Sequence, residues 1–284
     1  MKTGLVIEGG GVRGIYAAGV LDAFMEAGLT FDGVIGVSAG AIHGCSFVSE
    51  QKGRSLRYYK KYSSDPRFMS FRNWLKTGNL VDTDFCYHEL PDKLDLFDHD
   101  AFEKNETKFY VTCSNVETGK AEYIHLTDMR KEIDYLRASA SLPYFSEIVE
   151  INGKKYLDGG VSDSIPIDAF RKLGYGRNVV VLTRDKSYRK KPEMKKLSSA
   201  VYRKYPKFIS ALHERHTSYN RTLKRIMELE KQGEIFVIRP VKPLEVGRME
   251  KDPKKVEETY LAGYKDARRK MKELKNWLEQ NKEL

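Results

Sequence analysis

No run of apolar residues in this chain approaches the ~18 that a membrane-spanning helix needs, so no transmembrane span is expected. The first residues carry one lysine, Lys2, and then enter an apolar run, without the apolar core and cleavage site of a secretory leader. That start predicts a cytoplasmic protein. Cysteine is scarce: Cys45, Cys86 and Cys113 are odd in number and widely spaced. They read as reduced thiols rather than a disulfide framework, with Cys45 packed on a helix. Histidine is equally sparse, and none of the six residues stands at metal-ligand spacing with a cysteine or a carboxylate pair. No metal or cofactor is therefore expected. Internal repeats and long low-complexity linkers are missing too. One excess is present, a formal net charge of +10. No nucleic-acid-binding motif accompanies it, and a basic balance without such a motif does not make a nucleic-acid partner.

What the chain does have is glycine in particular places. Gly36-Val37-Ser38-Ala39-Gly40 follows the apolar run 33–37 and opens a helix-like run of small residues, 39–47. A nucleophile elbow needs that setting: a serine on a turn so sharp that neighbouring side chains would clash with the backbone. The next N–H then stands at a helix start, where partial positive charge favours an oxyanion. Such a five-residue match arises by chance in roughly one chain in ten of this size, so by itself it fits an exposed serine on a glycine-rich turn equally well.

Gly9-Gly10-Gly11-Val12-Arg13-Gly14 lies between the apolar run 4–7 and an amphipathic stretch, 15–27. It fits the dinucleotide fingerprint G-x-G-x-x-G. That fingerprint wants an acid at the end of the second strand, and here Asp32 stands at the strand's beginning instead. Three consecutive glycines before an arginine suit a nest of amides that holds an anion. Tyr156-Leu157-Asp158-Gly159-Gly160 is the third feature. The alternating runs 147–151 and 154–157 flank Asn152-Gly153, a strong hairpin signal. Asp158 thus falls at a strand end, beside two glycines that permit close backbone approach; an aspartate that merely turns the chain is the plainer reading.

Together these features resemble the patatin-like phospholipases: a G-G-G-x-R-G loop, then G-x-S-x-G, then D-G-G far downstream. Ala138-Ser139-Ala140-Ser141-Leu142-Pro143 is similar to the family's A-S-x-A-x-P segment, and Asp158-Gly159-Gly160 leads on to Pro166. The resemblance runs over residues 4–173. One departure is Ser164, where many relatives carry Asn; a shorter hydroxyl would brace the Asp loop less well. The resemblance implies a catalytic region over 4–173 and a C-terminal α/β extension over 174–284 on the same globule. It also implies a dyad, with Ser38 as nucleophile and Asp158 as general base. Gly10, Gly11 and Ala39 would donate to the oxyanion within a loop that includes Gly9, Arg13 and Gly14. Gly36 and Gly40 would shape the elbow, Gly159 and Gly160 the Asp loop, and Arg13 would add a guanidinium or anchor its loop.

A carboxylate near pKa 4 is a weak base toward a hydroxyl. It must therefore be held against the serine in a dry site, where desolvation raises its proton affinity. A Ser-His-Asp triad is the rival mechanism. His213 and His216 follow Asp158, as the hydrolase order Ser, acid, His requires, but they lie in a polar helical run, 208–232. His43 stands five residues past Ser38 and is expected to point away from it. His88, His99 and His125 complete a set read as structural or surface groups.

A chain of 284 residues can bury roughly three quarters of its unfolded surface in one core. Strand-like runs at 109–115 and 120–126 flank Glu117-Thr118-Gly119; further strands are expected at 178–183 and 235–239, and a long charged helix at 256–280. The pattern predicts an α/β fold, three layers α/β/α around a largely parallel central sheet. Tyr58, Tyr59, Tyr62, Phe68, Phe71 and Trp74 crowd the stretch 58–80, which suits either an acyl-chain cleft or helices packed over the sheet. The basic stretch 187–207, with Tyr188, Tyr202 and Tyr205, suits either a seat on an anionic membrane surface or a solvated loop. The expected activity is a lipid acyl hydrolase, phospholipase A-like, acting on a lipid or ester substrate; a catalytically idle lipid-binding protein on the same scaffold is the alternative.

Overall fold

The computed structural model describes residues 1–192 and 195–280. The stretch 187–207 therefore lies partly outside the described residues. Strands and helices alternate from the start: β1 (Thr3–Ile7), α1 (Ile15–Glu26), β2 (Gly33–Val37) and α2 (Ala39–Val48). Helices α3 (Arg54–Tyr62), α4 (Phe71–Thr77) and α5 (His99–Lys104) follow, with a wide π-type turn over Phe85–Leu94 between the last two. Next come β3 (Lys108–Asn115), β4 (Ala121–Leu126), α6 (Met129–Ser139), β5 (Val149–Ile151), β6 (Lys154–Asp158) and α7 (Ile167–Lys172). The chain closes with β7 (Arg177–Val181), α8 (Lys195–Val201), α9 (Pro206–Lys231), β8 (Ile235–Ile238) and α10 (Pro253–Glu279).

The strands form one sheet. β1 pairs in parallel with β2 and β7, β2 with β3, and β7 with β8; β4, β5 and β6 are antiparallel. Asn152 and Gly153 both take positive φ, 51° and 74°, and turn β5 into β6, as the Asn-Gly hairpin signal requires. Alternation along the parallel strands sorts side chains to two faces. Leu5, Ile7, Val34, Val179 and Val181 pack with α1 and α2 side chains such as Tyr16, Phe24 and Cys45. Val6, Ile35, Val180 and Leu182 pack with Phe170, Tyr219, Leu223 and Ile226 of α7 and α9. Both faces are covered, so the fold is the three-layer α/β/α arrangement. Helix α10 lies on α1 so closely that a Cβ at Gly19 would overlap the Tyr260 carbonyl, and one at Gly263 the Tyr16 carbonyl.

One detail of register decides the rest. Thr112 pairs with Val37 of β2 on one edge of β3 and with Tyr123 of β4 on the other. The next residue, Cys113, pairs with Glu122 of β4 and with Asp158 of β6. β2 and β6 therefore share one edge of β3, end to end. The last residue of β2 and the last of β6 lie against consecutive residues of the same strand.

Candidate active site

β2 ends against β3 at Val37, and Ser38 turns the chain with φ 54° and ψ −125°. A non-glycine residue there stores on the order of 1–3 kcal/mol of strain. The turn is tight enough that a Cβ at Gly36 would stand 2.5 Å from Ala41 N, and one at Gly40 2.5 Å from the Ile7 carbonyl oxygen. Helix α2 begins at once, the Ala41 and Ile42 amides donating to the Ser38 carbonyl at 2.9 and 3.1 Å. The Ser38 N–H donates to Ser139 Oγ (3.0 Å), whose own hydroxyl donates to the Thr112 carbonyl (2.7 Å). Ser139 is wholly buried, so this relay pins the elbow to β3 at the residue beside the Asp158 pairing.

Asp158 is buried at the end of β6. Its N–H donates to the Ser141 carbonyl (2.8 Å), and its own carbonyl accepts from Ser114 Oγ (2.8 Å). Its Oδ1 accepts from the Gly160 N–H at 2.8 Å, while Oδ2 is buried with no hydrogen-bond partner among the described residues. Burial pushes the carboxyl above its usual range; Arg215, hydrogen bonding from Ser38, the Gly160 amide and Arg248 pull the other way. The Ser38 hydroxyl thus bears on this carboxylate without a well-formed hydrogen bond. Such looseness is common before substrate binds. The Asp loop is braced at the Gly160 carbonyl, which accepts from Ser164 Oγ (2.7 Å) and from Arg215 Nε (2.5 Å). Ser164 therefore does brace this loop, and α9 adds a cation to the task.

The glycine loop is an arch tied at both ends. The Glu8 N–H donates to the Val181 carbonyl (3.0 Å) and the Val12 N–H to the Arg248 carbonyl (3.1 Å). Between them Gly9, Gly10 and Gly11 line a cleft with Ser38, Asp158 and Gly160. The buried Glu8 side chain accepts from the Thr183 N–H (2.6 Å) and from Tyr219 Oη (2.5 Å). Arg215 and Tyr219 stand four residues apart on α9, hence on one helix face; one reaches the Asp loop, the other the foot of the glycine loop. Arg13 is buried, its Nε unpartnered among the described residues. Desolvation, Arg184 and Arg248 push its pKa down to about 10. Gly14 packs against Ala39 and His43 at the elbow helix.

Two cavities meet at Ser38. The polar cleft, of 40 Å³, also takes in Arg13, Ser164, Arg184, Lys190, Arg215 and Arg248. The other is large and mostly apolar, with a volume of 530 Å³, within the ~300–1,000 Å³ usual for small-molecule sites. Ala39, Ile42, Cys45, Tyr58, Tyr59, Phe68, Leu80 and Leu136 line it. Of the aromatic residues in 58–80, Tyr58, Tyr59 and Phe68 thus face a cleft. Tyr62 packs on Phe85, and Phe71 and Trp74 pack on Phe145. His88, which is exposed, and His99, which packs edge-on against Phe97, stand at the rim of this cavity. His213 Nε2 pairs with Ser198 Oγ at 2.7 Å and His216 Nε2 with Thr217 Oγ1 at 3.2 Å, and neither lines either cavity. His43 is buried with Nδ1 on Ser55 Oγ at 2.9 Å, and burial lowers its pKa to about 3. Among the described residues no cluster of three His, Cys, Asp or Glu fits a metal ion, and no helix is long and apolar enough to cross a membrane.

Residues 5–171 match the sequence profile described as patatin-like phospholipase. The chain belongs to the patatin-like phospholipase family. Similar proteins include the uncharacterized protein YjjU of Escherichia coli (strain K12), 33% identical over 185 residues. That alignment spans 64% of this chain and 52% of YjjU. Lysophospholipase NTE1 of Saccharomyces cerevisiae is 29% identical over 176 residues, 60% of this chain and 10% of that protein. The chain thus matches about half the length of one relative and a tenth of the other. Among solved structures, VipD from Legionella pneumophila covers 94% of this chain and 66% of its own, with 11% identity and a TM-score of 0.44. Residues 205–279 match a second profile, described as a domain of unknown function (DUF6363). Within this patatin-like protein that second match supplies Arg215, Tyr219 and Arg248 to the polar cleft.

Sequence reading did not single out Ser139, Ser114, Glu8, Arg215, Tyr219 or Arg248. Ser139 lay inside a quoted motif segment, so its position was visible although its bond to the elbow was not. The i, i+4 spacing of Arg215 and Tyr219 gave one faint signal; the docking of α9 behind the glycine loop gave none.

Proposed function

We propose that this chain is a serine hydrolase of lipid carboxylic esters, phospholipase A-like, that works through Ser38 and Asp158 without a histidine. The observation that carries this reading is the shared edge of β3, where the strained elbow serine and a buried, raised-pKa carboxylate end two strands against neighbouring residues. Residues 4–173 are the catalytic region in this reading, and 174–284 an extension built onto the same sheet.

The chemistry runs in two halves. Asp158 accepts the Ser38 proton as Oγ attacks the ester carbonyl carbon. The oxyanion is held by the amides of Gly10, Gly11 and Ala39, and losing one such donor typically costs about 3 kcal/mol. Collapse breaks the ester C–O bond, and the leaving alcohol takes the proton from Asp158. Asp158 then takes a proton from a water whose oxygen attacks the acyl carbon; the acyl C–Oγ bond breaks, Oγ takes that proton back from Asp158, and the carboxylic acid leaves. The acyl chain lies in the apolar cavity, whose volume and lining suit it. The test is turnover of a panel of glycerolipids by the purified chain. Hydrolysis that vanishes in Ser38→Ala is expected; a folded wild type that hydrolyses none of them contradicts the reading.

A further inference from the structure

The polar cleft holds more positive charge than an acyl hydrolase needs. Among the described residues, five cationic side chains, Arg13, Arg184, Lys190, Arg215 and Arg248, and two carboxylates, Glu8 and Asp158, line it. Glu8 is already engaged by Thr183 and Tyr219. Two of the cations sit on aromatic platforms, Arg184 over Tyr188 at 4.1 Å and Lys190 over Tyr219 at 4.6 Å. Platforms of this kind hold a cation in place. Arg13 carries a buried Nε with no hydrogen-bond partner among the described residues, and its neighbours Arg184 and Arg248 act against its proton. A bound anion would relieve that repulsion.

The placement of the cations is as informative as their number. Ser38, Gly11 and Arg248 line both cavities. An ester with its acyl chain on the apolar side and its carbonyl at Ser38 must send its alcohol part toward the cations. The cleft's 40 Å³ exceeds the ~10–15 Å³ that admits one water and gives room for the outer oxygens of a phosphate. Arg215 comes from α9 and Arg248 from the segment before α10, both inside the region of unknown function. The Arg248 backbone rests on the glycine loop: its carbonyl accepts from Val12 N–H, and a Cβ at Gly11 would stand 2.9 Å from it.

We infer that the C-terminal region completes an anion subsite beside Ser38, and that this subsite takes the phosphate of an acyl ester whose headgroup carries no cation. The inference rests on the hydrolase reading and adds the substrate class to it. A phosphomonoester or phosphoglycerol headgroup is drawn in by Arg13, Arg184 and Arg248. A choline headgroup brings its ammonium among five cations, and a neutral glyceride brings nothing for them to hold.

The experiment measures kcat/KM of the full chain for three monomeric esters of one acyl chain: 1-acyl-glycerol 3-phosphate, 1-acyl-glycerophosphocholine and 1-acyl-glycerol. A preference of at least ~10-fold for the first over each of the others is expected. It should shrink as salt rises, because the attraction is electrostatic, and at least ~5-fold in Arg248→Gln and in Arg184→Gln. Arg248 is solvent-exposed, so its replacement should not unfold the chain. Glycerol 3-phosphate should compete with the phosphorylated ester more strongly than with the neutral one. Equal rates for the three esters, or a preference that ignores both substitutions and salt, overturns the subsite while leaving the hydrolase reading intact. Competition by inorganic phosphate without any headgroup preference assigns the cleft to a free anion and also overturns it. No turnover of these esters or of 4-nitrophenyl butyrate by the folded chain sinks both.

Discussion

The apolar cavity and the polar cleft share Ser38 but draw their walls from different parts of the chain. Most of the apolar cavity comes from two stretches near in sequence, residues 39–99 and 129–146. The polar cleft gathers the glycine loop, the elbow, the Asp loop, residues 184–190, α9 and the segment before α10. The first depends on local composition, an aromatic-rich insert folded over the sheet. The second depends on topology: β2 and β6 abut on β3, and a late helix returns behind the first loop. A substitution in the apolar wall should therefore change which chain fits, and one in the polar cleft the chemistry itself or the headgroup it favours.

The largest effect should follow Asp158→Asn. Without a base for Ser38, kcat should fall by about 10³-fold or more, in the range lost when a positioned acid–base group is removed. Stability should move the other way. The folded state raises the Asp158 pKa by burial, so it binds this proton more tightly than the unfolded chain does. The raised pKa thus costs stability once pH rises through the window above 3.8, the ordinary value. At pH 7 the variant should melt no lower than wild type, which calorimetry would check.

Ser139→Ala should come next. It leaves the Ser38 N–H and the Thr112 carbonyl without their bridging hydroxyl, at a cost of about 1–3 kcal/mol. A melting shift together with a kcat loss of about 10²-fold is expected, with KM little changed. A variant that loses stability alone would mean that the elbow keeps its shape without the relay.

Ile133→Trp sharpens the contrast from the apolar side. Ile133 lines the large cavity, and filling that space should cost long-chain esters about 10-fold or more against short ones, as steric discrimination in apolar pockets does. Competing-substrate assays across chain lengths would show it. Uniform loss at every chain length would place the acyl group elsewhere.

The smallest effect is a shift in pH profile. If Asp158 is the base proposed above, it works only when ionised, so activity should fall as pH drops through a pKa above the usual carboxylate range. Arg215 is foremost among the groups that hold that pKa down. In Arg215→Gln the acid limb should therefore move to higher pH; an unmoved limb would mean that another group controls it.

Most strands and the elbow were legible in the sequence because each rests on local chemistry: glycines around Ser38, Asn-Gly at 152–153, apolar runs at β1, β2 and β7. The glycine loop and Asp158 were legible as motifs, and only their distance in sequence hid how they meet. The cationic half of the cleft was not legible. Arg215 sits in a charged helix whose pattern marks an exposed face, and Arg248 in a loop with no motif. What brings them to Ser38 is the packing of α9 and α10 on opposite faces of the sheet, a long-range fact that periodicity does not record.

The most direct measurement of the central claim is the rate at which a fluorophosphonate labels the protein, with the modified residue located by mass spectrometry. Labelling should occur at Ser38, slow by about 10²-fold or more in Asp158→Asn, and stay within about 2-fold of wild type in the His213→Ala/His216→Ala double variant, since removing a positioned base typically costs about 10²–10⁴ and neither imidazole lines either cavity. Labelling at another residue, or loss of labelling in the double histidine variant with Asp158→Asn still reactive, would contradict a serine activated by aspartate alone.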